Sequence, residues 1–433
     1  MADLKLIKSK LNGEVKVPPS KSMGHRAIIC AALGHGTSKI YNIDYSDDMI
    51  ATIEGMSSFG AVINKGEDYL EVVGAFSKDK EVKVEDTRLV NCKESGSTLR
   101  FLVPISLLFD GKSKFIGEGN LGKRPLKTFY DIFDNQGIEY SYTDEVLDLT
   151  INGSLKADTF EVEGNVSSQF ITGLLFTLPL LDGDSKIVIT TEMESKGYID
   201  LTLSCLKDFG IEIINNDYKE FIIKGNQEYQ SREYRVEGDY SQAAFFLSAN
   251  ALGSDIIIND LKLDSLQGDK EVIDILKRMG LEFKESGTGL TCTLNRELNS
   301  TVIDGSQCPD IIPVISVVAA LSKGTTKIIN SSRLRIKECD RLKAMATELT
   351  KLGAKIEETK DGLIIEGVEE FEGGVTTWSW KDHRISMSLA IASTRCKNPI
   401  IIKDSECVAK SYPGFFEDFK MLGGTVNEWS LGQ

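Results

Sequence analysis

Lysine and arginine recur beside the serine or aspartate that opens apolar, helix-length stretches of this sequence. Lys21 and Arg26 stand in SKSMGHRAIICAAL, Arg100 in ESGSTLRFLVPISLL, and Lys381 and Arg384 in KDHRISMSLAIAS. The serines at 20, 95 and 167 read as ordinary N-caps, because short polar side chains accept from the free N–H groups of a first helical turn. The cations do not fit that reading. A helix start carries partial positive charge, so Lys or Arg there is unfavourable unless an anion joins them. Free N–H groups and positive charge together make an anion site, and binding of a small anion is the chemistry these residue types imply.

Other candidates lie outside those stretches. GNLGKRP carries Lys123 and Arg124 in a Gly-rich loop ahead of a proline-started helix, and IKECDRL carries Lys337, Glu338, Asp340 and Arg341. Lys337 and Arg341 are four apart, which predicts a shared helix face. A solvated, salt-bridged helix start explains that segment equally well when it is taken alone, and Asp340 suits a structural role. Lys410 in CVAKSYPG reads as a surface lysine. Asp310 in QCPDIIPVISVVAAL is a single carboxylate ahead of an almost wholly apolar helix. It is either a helix-start charge worth about 0.3–1 kcal/mol or a proton acceptor facing cations, and spacing leaves both open. Three histidines and eight cysteines without a CxxC pair present no metal-ligand cluster.

The elements that carry these residues repeat. The pattern of polar cluster, apolar helix, turn and β-branched strand begins at Ser20, Glu94, Val166, Asp239, Gln307 and Lys381. Its landmarks Ser22, Gly96, Ser168, Ser241, Asp310 and His383 are 69–74 residues apart, a period that chance does not produce six times. A second pattern interleaves with it: an amphipathic helix ending in glycine, then a strand. Gly60, Gly137, Gly210, Gly280, Gly353 and Gly423 fit the left-handed residue that stops a helix. Strands such as DYLEVVG, EVLDLTING, EFIIKG and GLIIEG alternate with these helices, so the fold class is α/β.

A chain of 433 residues implies two domains, hence three copies in each. Crossings are expected at Val17-Pro18-Pro19 and near 234–238, which gives one domain of 20–234 and one of 1–19 with 235–433. The opening stretch to about Pro19 is expected to form one strand of the latter. A hydrophobic share of 41% and a charged share of 27% are those of a soluble globular chain. The net charge of -15 argues against a nucleic-acid or anionic-membrane partner, although a local cluster of cations can still bind a small anion. The N-terminus has no signal-peptide core. The longest apolar run, Ile311 to Leu321, is short of the roughly 20 residues that span a bilayer. Scattered cysteines point to a reducing, cytoplasmic setting, and nothing in the sequence suggests a dedicated interface, so a monomer is expected.

At these same residues the chain resembles the 5-enolpyruvylshikimate-3-phosphate synthase family of enolpyruvyl transferases. The matching segments are PPSKSMGHRA, ESGSTLRF, KRP, NVSSQF, SKGYIDLTL, VEGDYSQAAFF, PDIIP, RIKECDRL, WKDHRISMSLA and AKSYPGFF, in order from Pro18 to Phe416. The resemblance implies two domains, each of three pseudosymmetric α/β units in an inside-out α/β barrel, with the active site in the cleft between them. It implies transfer of the enolpyruvyl group of phosphoenolpyruvate to the 5-hydroxyl of shikimate 3-phosphate, without metal or organic cofactor. Lys21, Ser22, Arg26, Ser167, Ser168, Gln169, Ser195, Tyr198, Asp310 and Lys337 then fall on the shikimate 3-phosphate positions. Lys21, Gly96, Arg124, Gln169, Arg341, His383, Arg384 and Lys410 fall on those for phosphoenolpyruvate. Asp310, Glu338 and Lys21 match the family's proton-transfer residues, and Gly96 implies sensitivity to glyphosate.

Gly24 and Ser97 depart from many relatives, and Arg333 stands where some carry a shikimate-binding Asn. The related transferase acting on UDP-N-acetylglucosamine shares the architecture but uses a loop cysteine, and IGEGNLGKRP has none. A non-catalytic anion-binding module could dispense with Asp310 and Glu338, and both are present. An RNA-end cyclase fits poorly with the acidic net charge.

Overall fold

In a computed structural model, residues 3–77, 87–287 and 289–429 are described. The chain divides into two compact units, Pro19–Val236 and Met1–Pro18 with Glu237–Gln433. Twelve α-helices are described: α1 (Lys21–Ala32), α2 (Asp47–Ser58), α3 (Gly96–Ser106), α4 (Lys127–Gln136), α5 (Ser168–Thr177), α6 (Lys196–Asp208), α7 (Tyr240–Ala251), α8 (Glu271–Arg278), α9 (Ile312–Ala320), α10 (Arg341–Lys351), α11 (His383–Ser393) and α12 (Phe415–Met421). Among the described residues, no helix is long and apolar enough to cross a membrane.

The odd-numbered helices are apolar nearly all round and therefore buried nearly all round. Every residue of α7, α9 and α11 is buried. The even-numbered helices bury one stripe, such as Phe129, Ile132 and Phe133 of α4 or Phe415, Phe416 and Phe419 of α12. Six glycines follow the even-numbered helices, Gly60, Gly137, Gly210, Gly280, Gly353 and Gly423, and all have φ between 68° and 108°. That region costs an L side chain strain and costs glycine none.

Among the described residues, six four-stranded sheets lie over these helices, and all share one plan: a parallel pair followed by two antiparallel neighbours. In the first unit, Glu233–Arg235 pairs in parallel with Thr37–Tyr41, which runs antiparallel to Tyr69–Val73 and then Val62–Lys65. The third strand alternates in most of these sheets; in Tyr69–Val73 only Leu70 and Val72 are fully buried. One face meets the helices and the other meets solvent.

The opening residues form two strands, where the sequence suggested one. Asp3–Ile7 pairs with Ile400–Lys403 and Thr425–Trp429, while Asn12–Lys16 pairs in parallel with Asp255–Asn259 in another sheet. The break falls at residues 8–11, where KSKL interrupts the alternation. Each strand completes a sheet whose other members lie hundreds of residues away.

Candidate active site

The helix starts are capped as their residue types require. Ser20, Ser95 and Ser167 accept from the N–H groups of Met23, Thr98 and Gln169. Asp239, Asp340 and Asp382 do the same for α7, α10 and α11. Asp310 is not the N-cap of α9; it lies two residues ahead of that helix, whose N-cap is Ile311.

Asp310 instead gathers cations. Its Oδ1 accepts from Arg341 Nη1 at 2.9 Å and Lys337 Nζ at 3.4 Å, and its Oδ2 from Arg384 Nη2 at 3.2 Å. Arg384 also donates to the Asp310 carbonyl at 3.1 Å and to Ser241 Oγ at 3.0 Å. The starts of α7, α9 and α11, one from each copy in this unit, thus meet on one guanidinium. Arg341, only 1% exposed, serves three carboxylates: Asp310, Glu338 at 2.8 Å, and the fully buried Asp382 at 2.8 Å. Lys410 Nζ reaches the other oxygen of Glu338 at 3.4 Å. His383 is buried beside them.

Lys337 and Arg341 do not share a helix face. Asp340 caps α10 so that the helix begins at Arg341, and Lys337 is left in extended backbone after the short helix Ser332–Ile336. Both still reach Oδ1 of Asp310. Lys410 is not a surface lysine but a buried one.

The charges shift one another. Burial would push the Asp310 carboxyl up, but Arg384, Lys337 and Arg341 together outweigh it and hold it well below the usual carboxylate range. Burial pulls Lys337 down to about 8 against the opposing pull of Asp310. Arg341 is pushed well above its ordinary value, because Asp382, Glu338 and Asp310 overcome the cost of its burial.

In the other unit, Lys21 opens α1 and its Nζ pairs with Asp48 at 2.8 Å. Arg26 binds the Ser22 carbonyl at 2.6 Å, Thr202 Oγ1 at 2.9 Å and the Tyr198 carbonyl at 2.9 Å. Gly96 opens α3. A Cβ built there would lie 2.7 Å from Arg124 Nη1 and 3.6 Å from Gln169 Oε1, so these three crowd one point. Gln169 ties α5 to α3 by accepting from Arg100 at 2.8 Å and donating to Ser97 at 2.9 Å. Ser168 lies in the first turn of α5. Ser195, the N-cap of α6, holds a left-handed φ of 55°, an unusual conformation for a serine. Pro125 does not start α4, which is capped by Leu126; its carbonyl accepts from Arg100 at 3.3 Å.

Asp48, Thr202 and Asp382 enter as partners that sequence reasoning missed. Asp382 occupies a recurring cap position, which was the available signal, but its second role toward Arg341 spans 41 residues. Among the described residues, no group of three or more His, Cys, Asp or Glu is arranged to hold a metal ion. One unit thus presents a carboxylate ringed by cations, the other a set of cations and hydroxyls at helix starts. Such arrays suit multiply charged anions and proton transfer beside them.

A family profile described as EPSP synthase (3-phosphoshikimate 1-carboxyvinyltransferase) matches residues 6–419. The chain is 69% identical over 435 residues, covering all of both chains, to a 3-phosphoshikimate 1-carboxyvinyltransferase of Clostridium beijerinckii. It is 65% identical over 438 residues, again covering all of both, to the protein of that name from Clostridioides difficile. An EPSP synthase structure from Acinetobacter baumannii has a TM-score of 0.82 at 24% identity, over 99% of this chain and 100% of that one. The enolpyruvyl transferase NikO from Streptomyces tendae has a TM-score of 0.80 at 17% identity, over 99% of each. At those identities the two structures speak for the fold alone.

Proposed function

The chain belongs to the EPSP synthase family, and from that premise we propose that it transfers the carboxyvinyl group of phosphoenolpyruvate to the 5-hydroxyl of shikimate 3-phosphate, releasing phosphate. The observation that carries the reading is the ionised Asp310 set among Arg341, Lys337 and Arg384, with Glu338 between Arg341 and Lys410. Two carboxylates able to take part in proton transfer then stand in one field of cations.

Shikimate 3-phosphate is assigned to Lys21, Ser22, Arg26, Ser167, Ser168, Gln169, Ser195, Tyr198, Asp310 and Lys337. Phosphoenolpyruvate is assigned to Lys21, Gly96, Arg124, Gln169, Arg341, His383, Arg384 and Lys410. Protonation of the methylene carbon, which leaves the adjoining carbon cationic, is assigned to Glu338 with Lys21 sharing the task; Glu338 stands in ion pairs with Arg341 and Lys410 and must take up a proton before it can deliver one. The 5-hydroxyl oxygen attacks that carbon while Asp310 takes its proton. Loss of a proton from the new methyl group then expels phosphate and restores the vinyl ether. Arginines and lysines hold the carboxylate and phosphate charges throughout, and fixed dipoles and charges of this kind need no reorganisation as the reaction proceeds. Anions settling on Arg384, Lys337 and Arg341 cancel part of the field at Asp310, so its basicity rises when the substrates are bound.

The reading extends to a cytoplasmic monomer inhibited by glyphosate. The test is phosphate release from phosphoenolpyruvate with purified shikimate 3-phosphate, and with UDP-N-acetylglucosamine as a parallel acceptor. Release with the first acceptor alone is expected; release with the UDP-sugar alone would overturn the acceptor.

Two further results are expected. Lys337 loses its proton near pH 8 in the ligand-free protein, so affinity for shikimate 3-phosphate should fall as pH rises through that value. Titration calorimetry from pH 6 to 10 checks this, and Lys337→Met should bind weakly with no such fall. Gly96→Ala places a methyl 2.7 Å from the mobile end of Arg124, which displaces that guanidinium without disturbing the backbone. The KM for phosphoenolpyruvate and the glyphosate inhibition constant should both rise, by about tenfold for each 1.4 kcal/mol of lost contact, at unchanged Tm.

A further inference from the structure

A chain of hydrogen bonds runs through the interior of the unit Pro19–Val236, outside the groups assigned to the reaction. His25 Nδ1 lies 2.7 Å from Thr52 Oγ1, Thr52 Oγ1 lies 2.7 Å from Thr98 Oγ1, and Thr98 Oγ1 donates to Ser95 Oγ at 2.8 Å. Each of the four residues is at most 1% exposed. They come from three helices, and each stands close to a site residue. His25 is one turn beyond Lys21 on α1, and Thr52 is one turn beyond Asp48 on α2. Thr98 is two residues beyond Gly96 on α3, whose cap is Ser95. Thr98 Oγ1 also approaches the Asp48 carbonyl at 3.4 Å, so the chain passes beside the carboxylate that holds Lys21.

The chain has a direction. His25 Nε2 is buried and has no hydrogen-bond partner within the protein; the ring packs edge-on against Phe101. Burial pushes the imidazole down to about 3, so it carries one proton at neutral pH. A proton on Nε2 would be a donor without an acceptor in an apolar surround, the costlier arrangement. Placed on Nδ1, it donates to Thr52, which donates to Thr98, which donates to Ser95. The protons of His25, Thr52 and Thr98 then all run in one sense toward Ser95, and a directed buried chain of this kind rigidifies the elements it joins.

We propose that His25 and Thr52 are positioning residues for the reaction, their chain to Thr98 and Ser95 locking the first turns of α1, α2 and α3 so that Lys21, Asp48 and Gly96 keep one geometry. The inference rests on the roles given above to Lys21 and Gly96. Its first test does not: long-range proton–nitrogen correlation spectra of the wild-type protein at pH 7 report the tautomer of His25. A neutral ring protonated on Nδ1 is expected, whereas an imidazolium or an Nε2 proton would overturn the chain. The second test compares Thr52→Val with Thr52→Ser. The valine variant should lose about 10- to 100-fold in kcat, the size of effect that small misplacements of reacting groups produce, with KM for shikimate 3-phosphate little changed and the serine variant near wild type. A valine variant with wild-type kcat, or one whose loss is shared by serine, would sink the positioning role. Should the valine variant fail to fold, the histidine spectrum and the serine variant decide. If the wild type itself releases no phosphate, the function falls while an Nδ1 proton on His25 leaves the chain standing.

Discussion

Asp310→Asn is expected to lower kcat by about 10²–10⁴-fold, the range for removing a positioned proton-transfer group, without raising the KM for phosphoenolpyruvate. The second half of that expectation follows from the charges. Three cations converge on the carboxylate, and deleting its negative charge leaves them less compensated, so an anionic ligand binds at least as well. The wild type adds a pH signature. In the free protein the Asp310 carboxyl is held well below the ordinary range; bound anions cancel part of that field and raise it. The acid limb of kcat should therefore lie at higher pH than that of kcat/KM, which stays below pH 4, and the Asn variant should lose the kcat limb. Steady-state phosphate release between pH 4 and 9 checks for a kcat limb with no matching limb in kcat/KM, and for its loss in the variant. An Asn variant with wild-type kcat would reduce Asp310 to a counter-ion.

Arg341→Met should be the most damaging substitution for stability. Its guanidinium is the common partner of Asp310, Glu338 and Asp382, and Asp382 is fully buried. Breaking a buried pair by removing one partner costs about 3–5 kcal/mol, because the remaining charge stays desolvated. Trp378, Trp380 and Trp429 are the chain's three tryptophans and all lie in the unit that contains Arg341. Tryptophan fluorescence during urea unfolding thus reports on that unit, and its midpoint should drop sharply. Arg341→Lys should fall between, since one ammonium cannot span three carboxylates as a planar fork can, and should still be nearly inactive. A Met variant with an unshifted midpoint would mean that the three acids find other partners.

The local features of this fold were legible because they rest on one or two residues at a time. A glycine after each amphipathic helix, a serine or aspartate before each apolar one, and a period near 70 residues are all statements about neighbours. What could not be read is which repeats touch. Asp310 and Arg384 stand 74 residues apart, one period, so the repeat marks them as equivalent places without saying that their side chains meet. Asp48 and Asp382 were equally opaque: a carboxylate in SDDM or KDHR reads as a helix-start charge until the chain folds Lys21 or Arg341 onto it. The shared helix face expected for Lys337 and Arg341 failed for a local reason, the capping power of Asp340, which a closer weighing of cap against spacing would have caught.

The pairing of Asp3–Ile7 with Thr425–Trp429, and of Asn12–Lys16 with Asp255–Asn259, has a consequence for the order in which a ribosome can build the molecule. Every residue of the unit Pro19–Val236 has been made before Asp255–Asn259 is reached, and domains generally fold as they emerge. The strands Asp3–Ile7 and Asn12–Lys16 must wait. Asn12–Lys16 finds its neighbour only after that unit has emerged, and Asp3–Ile7 finds its last one only once Thr425–Trp429 has been made. Until then two short strand edges, LKLI and EVKV, travel unpaired on the nascent protein. The lysines beside their apolar residues are the kind of charge that keeps such edges from pairing with another chain.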